Sequence, residues 1–318
     1  MRRSGWVAAV LGILAGQVGV AAAAEKITVG LTSLSPAAAP LYLARDKGFF
    51  EAEGIEVSIP IFKSGTENAQ AVLAGEVQIA KGSTELFNIR KAGQDARFFW
   101  GVANIMPFKL YAKAEIKSGQ ELKGRRLAVS KFGAQSDTLT RMALKHFGVE
   151  PIREAAILQV GSTPARYAAM KSGAVDATLM WFPQTLLADK EGYRKLLDLS
   201  VLITDWPYMA FYAKADYLKA NRDLTIRFLR AYRKGLAFAV ANPAEAVAAI
   251  AKALKYDPTV AEAGWKEFAP TMPPDGRLPM KGIEFLIQEA RETTKEPLAL
   301  TAPDLVETSF IEHFRRSQ

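Results

Sequence analysis

Residues 26–56, KITVGLTSLSPAAAPLYLARDKGFFEAEGIE, decide the fold of this chain. Apolar residues alternate with polar or small ones over 27–31, which predicts a strand, and a Ser/Pro/Ala loop follows. A helical pattern then extends to Phe50, Gly54 ends it, and residues 55–62 start a second strand. A strand, a helix and another strand in this order predict a parallel sheet with crossover helices.

Residues 1–24 have the pattern of an export signal. Two arginines precede an apolar run from Trp6 to Val20, and Ala22 and Ala24 are placed for cleavage before Glu25. The apolar run is short for a membrane span of ~20 residues. We therefore expect cleavage near Ala24 and no stable membrane insertion afterwards. The alternative is an uncleaved N-terminal anchor.

The composition narrows the class of protein. The chain has no cysteine, so disulfides, thiolate metal sites and lipid attachment to a cysteine are excluded. Removal of residues 1–24 would leave 294 residues, 318 minus 24, which is enough for two cores. The formal net charge of +8 is scattered among acidic residues without a basic run. This pattern indicates a solvated basic surface, and we expect no nucleic-acid partner.

Two units of alternating strands and helices make up the chain, and the residues from 221 onward are mostly helical. No low-complexity linker separates the units, so we expect two hinge strands, near 104–111 and 202–212. Each strand leads into a loop of small residues that opens a helix, and ligands bind beyond the carboxyl ends of such strands. The further predicted strands are 77–80, 98–103, 125–130, 151–160, 175–180 and 209–213, and the main predicted helices are 85–92, 138–147, 224–240, 243–254, 281–293 and 305–315.

Four segments occur in the order in which one protein family carries them. They are D-K-G-F-F-E-A-E-G-I-E-V at 46–57, V-L-A-G-E-V-Q-I-A at 72–80, E-L-K-G-R-R-L-A-V at 121–129 and A-A-M-K-S-G-A-V-D-A-T-L-M-W-F-P at 168–183. They resemble the corresponding blocks of periplasmic substrate-binding proteins of ABC importers, in the sulfonate, taurine and nitrate branch, which is similar to the proteins that bind thiamine-pyrimidine precursors. The resemblance covers residues 26–217.

The resemblance implies an α/β protein with the type II periplasmic-binding-protein fold. Two lobes are joined by two hinge strands, a ligand cleft lies between them, and a helical C-terminal tail packs on lobe one. We expect lobe one to contain residues 25–107 and 209–318, and lobe two to contain residues 108–208.

The same resemblance implies a function. We expect a receptor in the periplasm that captures a small solute, an organic acid or sulfonate, by hinge closure. We also expect it to act as a monomer and to deliver the solute to the permease of an ABC transporter. Neither an enzymatic activity nor a cofactor is expected.

Ligand-binding residues are predicted where strands end and helices begin, because free backbone N–H groups there can hold an anion. Plain N-capping is the alternative role for Ser83, Thr84 and Ser136, and lobe packing is the alternative for the aromatic residues. Lys81 and Lys131 are predicted to be loop residues that either supply charge to an anion or are only solvated. The predicted ligand-binding residues are Ser33, Ser35, Tyr42, Gly82, Ser83, Thr84, Asn104, Gly133, Gln135, Ser136, Asp137, Trp181, Phe182 and Trp206.

Other functions on the same architecture are disfavoured by the sequence. An enzyme, such as the thiamine-pyrimidine or menaquinone-precursor relatives, needs titratable groups at the cleft. The only two histidines, His146 and His313, lie away from the predicted cleft loops, and no nucleophile elbow, P-loop or metal-ligand spacing is present. A transcription regulator would carry a helix-turn-helix where this chain has its export signal. A receptor that serves a sensor instead of a permease stays possible.

Overall fold

The computed structural model describes residues 24–31, 35–62, 65–132, 135–294 and 299–316. Ten strands and twelve α-helices lie within those ranges. The strands are β1 (Glu25–Leu31), β2 (Ile55–Ser58), β3 (Ile79–Gly82), β4 (Ala96–Asn104), β5 (Lys109–Ala112), β6 (Arg126–Val129), β7 (Ala156–Gln159), β8 (Ala177–Met180), β9 (Arg194–Asp198) and β10 (Pro207–Lys214). The helices are α1 (Ala39–Asp46), α2 (Gly65–Ala74), α3 (Glu85–Lys91), α4 (Gln135–His146), α5 (Thr163–Lys171), α6 (Gln184–Lys190), α7 (Ala215–Ala220), α8 (Arg222–Ala241), α9 (Pro243–Leu254), α10 (Pro258–Phe268), α11 (Met280–Thr294) and α12 (Ser309–Arg316).

The strands form two five-stranded sheets. The first has the order β2-β1-β3-β10-β4 and the second has the order β7-β6-β8-β5-β9. In the first sheet β1 is parallel to β2 and β3, and β10 is antiparallel to β3 and β4. In the second sheet β6 is parallel to β7 and β8, and β5 is antiparallel to β8 and β9. Each sheet thus has four strands that run in one direction and one antiparallel strand, β10 in the first sheet and β5 in the second.

The chain passes between the sheets twice, from β4 to β5 and from β9 to β10. The first sheet therefore combines strands from 25–104 and 207–214, whereas the strands of the second come from 109–198. This arrangement confirms the predicted α/β fold with two lobes and two connections. The lobe limits of 25–107 with 209–318, and 108–208, stay predictions.

The C-terminal helices pack on the first sheet and its helices. Phe228 of α8 stacks on Phe50 with ring centroids 5.3 Å apart, and Phe310 of α12 packs on Phe99 of β4 at 5.6 Å. A Cβ atom added to Gly235 of α8 would lie 2.3 Å from a backbone oxygen of α1, so only glycine permits this close helix contact. The predicted helical tail on lobe one is therefore confirmed.

The first helix is shorter than the sequence pattern predicted. α1 ends at Asp46, and Gly48 follows with φ 72°, in the left-handed region that glycine adopts without strain. A short 3-10 helix at Glu51–Glu53 precedes Gly54, whose φ is 71°. The helical prediction up to Phe50 is therefore wrong, because the chain turns at Gly48 and carries Phe50 onto α8.

The predicted export signal falls on residues 1–24, of which 1–23 lie outside the described residues. Within the described ranges, no single helix is long and apolar enough to cross a membrane. α8 and α9 together pass that test by length and composition, and they are bent by 111° at the break between them.

Candidate functional site

Three aromatic rings join the two lobes beside the carboxyl end of β8. Trp181 directly follows β8, and its ring stacks on Phe108 with centroids 6.0 Å apart and an interplanar angle of 21°. The Trp181 ring also meets Tyr208 of β10 edge to face, at 5.5 Å and 78°. We call Phe108, Trp181 and Tyr208 the ring cluster. It places an apolar surface where a lobe-two strand meets a lobe-one strand.

Ser35 lies next to Tyr208 of the ring cluster and is the N-cap residue of the short 3-10 helix Pro36–Ala38. Burial raises the pKa of the Tyr208 hydroxyl well above its ordinary value, and the neighbouring Ser35 hydroxyl acts in the opposite direction. The two hydroxyls are neighbours without a hydrogen bond of favourable geometry, and the Tyr208 oxygen has no partner among the described residues. A buried hydroxyl without a partner costs about 1–3 kcal/mol, which makes the Tyr208 hydroxyl a candidate for ligand contact.

Lobe two contains a buried arginine without a carboxylate partner among the described residues. Arg166 of α5 is only 2% exposed. Its Nε donates to Thr178 Oγ1 at 3.1 Å and its Nη1 to the Gly161 carbonyl at 2.7 Å. Its Nη2 donates to Thr163 Oγ1 at 3.0 Å and to the Leu179 carbonyl at 3.1 Å. Burial lowers the pKa of Arg166 to about 10, so a positive charge stays buried among neutral acceptors.

Lobe one contains a buried lysine that the sequence pattern misplaced. Lys81 was predicted to lie in a loop, but β3 extends to Gly82 and Lys81 pairs in register with Leu31 and Phe211. It is 1% exposed, and its Nζ atom has no partner among the described residues. Burial lowers the pKa of Lys81 to about 7. Lysine is rarely buried without a partner, which makes Lys81 a candidate for ligand contact.

The predicted residues that follow β3 lie at the start of α3. The Ser83 N–H donates to Glu85 Oε2 at 2.7 Å, and the buried Ser83 hydroxyl has no partner among the described residues. Thr84 occupies the N-cap position, but its side chain accepts no capping hydrogen bond. The Thr84 side chain therefore does not cap the helix, which was its alternative role.

The predicted residues at the start of α4 are engaged within lobe two. Ser136 Oγ accepts the Ser130 N–H at 2.8 Å and shares a hydrogen bond with Ser130 Oγ at 2.7 Å. Asp137 is buried and accepts from Arg141 Nε at 2.8 Å. Gln135 begins the helix and is half-buried. Ser136 thus ties α4 to the end of β6.

The remaining polar candidates are spread over lobe one. Tyr42 is buried in α1, where burial raises the pKa of its hydroxyl and the Arg45 guanidinium, 5.5 Å from the ring centroid, opposes that shift. Asn104 Nδ2 donates to the Arg277 carbonyl at 2.9 Å, whereas its Oδ1 has no partner among the described residues. The predictions for Ser33 and Gly133 lie outside the described residues.

Of the three aromatic residues predicted beside the crossovers, Trp181, Phe182 and Trp206, the last two pack against helices in this structure. Trp206 is fully buried, and its ring lies 5.6 Å from that of Phe285 in α11. Phe182 packs edge to face on Phe268 at 6.4 Å and on Tyr256 at 6.0 Å. Trp181 alone of the three belongs to the ring cluster. The structure therefore separates the aromatic residues that the sequence pattern had grouped.

The sequence interpretation did not select four residues of this site: Phe108, Thr163, Arg166 and Tyr208. Tyr208 was reachable, since it lies within the predicted hinge strand 202–212. No sequence signal marked Arg166, because a single arginine in a helix normally reaches solvent. No group of three His, Cys, Asp or Glu side chains that could hold a metal ion occurs in the described part of the chain.

Comparison with known proteins identifies relatives of this chain. Residues 35–246 match the model of the family described as NMT1/THI5 like. The binding protein YtlA of Bacillus subtilis is 23% identical over 215 residues, which cover 66% of this chain and 64% of that protein. The taurine-binding periplasmic protein of Escherichia coli is 27% identical over 197 residues, 61% of this chain and 60% of that protein. The matches thus span less than two thirds of these two proteins.

An enzyme is also among the relatives. The 4-amino-5-hydroxymethyl-2-methylpyrimidine phosphate synthase THI13 of Saccharomyces cerevisiae is 27% identical over 247 residues, which cover 70% of this chain and 69% of that protein.

Solved structures of binding proteins have the same fold. The periplasmic aliphatic sulphonate binding protein SsuA of Escherichia coli superposes with a TM-score of 0.72 at 19% identity, covering 91% of this chain and 99% of that chain. The periplasmic nitrate-binding protein NrtA of Synechocystis has a TM-score of 0.75 at 16% identity, covering 92% and 89%. The predicted resemblance to the sulfonate, taurine and nitrate branch is confirmed.

Proposed function

Because the chain belongs to the NMT1/THI5-like family, whose model it matches over residues 35–246, we propose that it is a receptor that binds a small organic anion between its two lobes. One observation carries this proposal: each lobe buries a basic side chain that has no carboxylate partner among the described residues. These side chains are Lys81, at the end of β3, and Arg166, whose guanidinium bonds the Leu179 carbonyl at the end of β8.

An anion at this site would supply the missing negative charge. Among the described residues, Arg166 donates only to neutral oxygen atoms, so an anion near the end of β8 would be attracted by its uncompensated charge. Lys81 is partly neutral near pH 7, and a nearby anion would favour its protonated form. The Tyr208 hydroxyl offers a further donor to the ligand.

The ring cluster fits the organic part of such a ligand. Trp181 and Phe108 come from lobe two and its connection, and Tyr208 comes from β10. A ligand that touches both lobes binds the closed form better than the open one, and that difference in affinity drives closure. No chemical step is required. Delivery of the solute to an ABC permease from the periplasm is part of the proposal, supported by the relatives named as periplasmic binding proteins.

The test is a thermal-shift screen of residues 25–318 after unfolding and refolding. The panel holds taurine, alkyl and aryl sulfonates, aliphatic and aromatic carboxylates and nitrate. A ligand at 100 times its dissociation constant adds about 2.7 kcal/mol, which raises the melting temperature by about 2–4 °C in a protein of this size. We expect one class of organic acid to produce the shift. A folded protein that no organic acid stabilises would contradict the proposal.

A second candidate function is an enzyme, favoured by the Lys81 amine and by the similarity to THI13. A buried lysine that is partly neutral near pH 7 can act as a base or a nucleophile. Incubation with an aldehyde and borohydride would convert a reactive amine to a secondary amine, detected by mass spectrometry. Selective modification of Lys81 in the folded protein would support this candidate, and modification only of exposed lysines would contradict it.

A further inference from the structure

Glu85, the first residue of α3, turns back towards the start of α2. Its Oε2 atom accepts the Ser83 N–H at 2.7 Å. A Cβ atom added to Gly65, the first residue of α2, would lie 2.2 Å from Glu85 Cγ and 2.8 Å from Oε1. A Cβ atom added to Gly82 would lie 2.5 Å from Oε2. Both glycines therefore leave the space that the Glu85 side chain fills.

The carboxylate of Glu85 thus lies where the beginnings of two helices meet. The first N–H groups of a helix have no partner within the helix, and the helix dipole makes this end positive, so oxyanions are bound at such places in many proteins. Here the negative charge belongs to the chain itself. α2 has ten residues, so its first turn is a full helical terminus.

Two hydroxyl groups near Glu85 are candidates for ligand contact. The hydroxyls of Ser83 and Tyr212 are buried and have no partner among the described residues. Burial is the main cause that raises the pKa of Tyr212 and of Tyr208 in the ring cluster, and the charge of Glu85 adds to that rise in both. The field of Glu85 therefore extends from the start of α3 to the candidate site.

We propose that Glu85 is a resident anion that selects the ligand, because its carboxylate lies at the start of α2, where an oxyanion would otherwise bind, and keeps small inorganic oxyanions out of that place. This inference rests on the proposed function and deepens it. The acidic group of the solute then has to bind elsewhere in the site. A ligand with an organic body can reach such a position while it contacts the ring cluster, whereas a bare ion such as nitrate has no second contact to replace the one it loses.

The experiment measures nitrate binding by isothermal titration on the wild type and on matched variants of residues 25–318. Glu85→Ala removes the carboxylate and opens its space, and Glu85→Ser does the same with a residue that is well tolerated at a helix start. Glu85→Gln removes the charge but keeps the space filled. Glu76→Ala removes one exposed negative charge in front of β3 and controls for net charge.

We expect no saturable nitrate binding by the wild type and by Glu76→Ala. Glu85→Ala and Glu85→Ser should bind nitrate at least tenfold more tightly than the wild type, and more tightly than Glu85→Gln does. Circular dichroism establishes that each variant is folded, and the serine variant replaces the alanine variant if the latter does not fold.

Three results would overturn the inference. They are nitrate binding by the wild type at the affinity of Glu85→Ala, no gain of binding in either folded truncation, and equal binding by Glu85→Ala and Glu85→Gln. The proposed function fails on a different measurement, the absence of any organic acid that stabilises the wild type. The two failures are therefore distinguishable.

Discussion

Arg166 and Trp181 share one hydrogen-bond acceptor, the hydroxyl of Thr163. Arg166 Nη2 donates to it at 3.0 Å and Trp181 Nε1 donates to it at 2.9 Å. The buried charge of lobe two is thereby attached to the ring that faces lobe one. A ligand that moves either side chain must disturb the other, so charge and ring act as one unit in the candidate site.

Thr163→Val keeps the shape of the side chain and removes the shared acceptor. Because the buried Arg166 guanidinium and the half-buried Trp181 ring each lose a partner, we expect the free energy of unfolding to fall by about 1–3 kcal/mol. Affinity for the solute should fall as well, since the Trp181 ring loses its anchor. Urea unfolding and titration measure the two effects. Thr138→Val, on a partly exposed side of α4, serves as the control.

Arg166→Met removes the buried charge and keeps a long apolar side chain. We expect affinity for an organic anion to fall at least tenfold, which corresponds to about 1.4 kcal/mol. Arg194→Met removes an exposed charge from β9 and should leave the affinity unchanged. Equal affinities of the two variants for the solute, by titration, would show that Arg166 is not part of ligand recognition.

Lys81 makes the stability of the ligand-free protein depend on pH. Burial lowers the pKa of Lys81 to about 7 from an ordinary value of 10.5. Between these values the unfolded chain holds a proton that the folded chain has lost, so stability rises with pH, by up to about 1.4 kcal/mol per pH unit. Lys81→Met should abolish this rise in urea unfolding from pH 7.5 to 9.5. Lys131→Met, at an exposed residue, should keep the full rise, and identical slopes in both variants would contradict the prediction.

Asp176 makes stability depend on pH in the acid range. Burial favours its neutral form, but hydrogen bonds from the Arg126 side chain and N–H and from Lys113 outweigh burial and hold the pKa of Asp176 well below its usual range. The resulting stability is full above the unfolded pKa of about 4 and is lost as pH falls towards the folded pKa. Asp176→Asn should therefore lower the free energy of unfolding by about 1–3 kcal/mol at pH 7, and by less at pH 3.

Urea unfolding of the wild type and of Asp176→Asn at both pH values tests this prediction. Asp216→Asn, at an exposed position of α7, is the matched control and should change stability little at either pH. A constant difference between the wild type and Asp176→Asn from pH 7 to pH 3 would contradict the assigned cause.

Local sequence patterns were sufficient to predict the two lobes. The strand-helix-strand order around β1, α1 and β2 depends on residues close together in the chain, and so do the glycines that end the elements. Lys81 was within reach, because Ile79 and Lys81 share one face of a strand with period two if the predicted strand 77–80 is extended to Gly82. The error was to end the predicted strand at Ala80 and to place Lys81 in the loop that follows.

The functional residues were harder to predict, because their roles depend on contacts between distant parts of the chain. Arg166 is defined by acceptors at Gly161 and Leu179, and Glu85 by the position of Gly65. Ser136 had the correct residue type for a site at a helix start, yet its hydroxyl bonds Ser130. Residue type and position in an element predict what a side chain is able to do, and the tertiary fold decides which partner it meets.

The order of strands in the first sheet has a consequence for how the chain folds during synthesis. β10 lies between β3 and β4, so two strands made early stay separated until residues 207–214 have left the ribosome. The second sheet, by contrast, comes from one continuous stretch, 109–198. Lobe two is therefore able to form while lobe one still lacks β10, and the N-terminal half of lobe one waits longest for its partners.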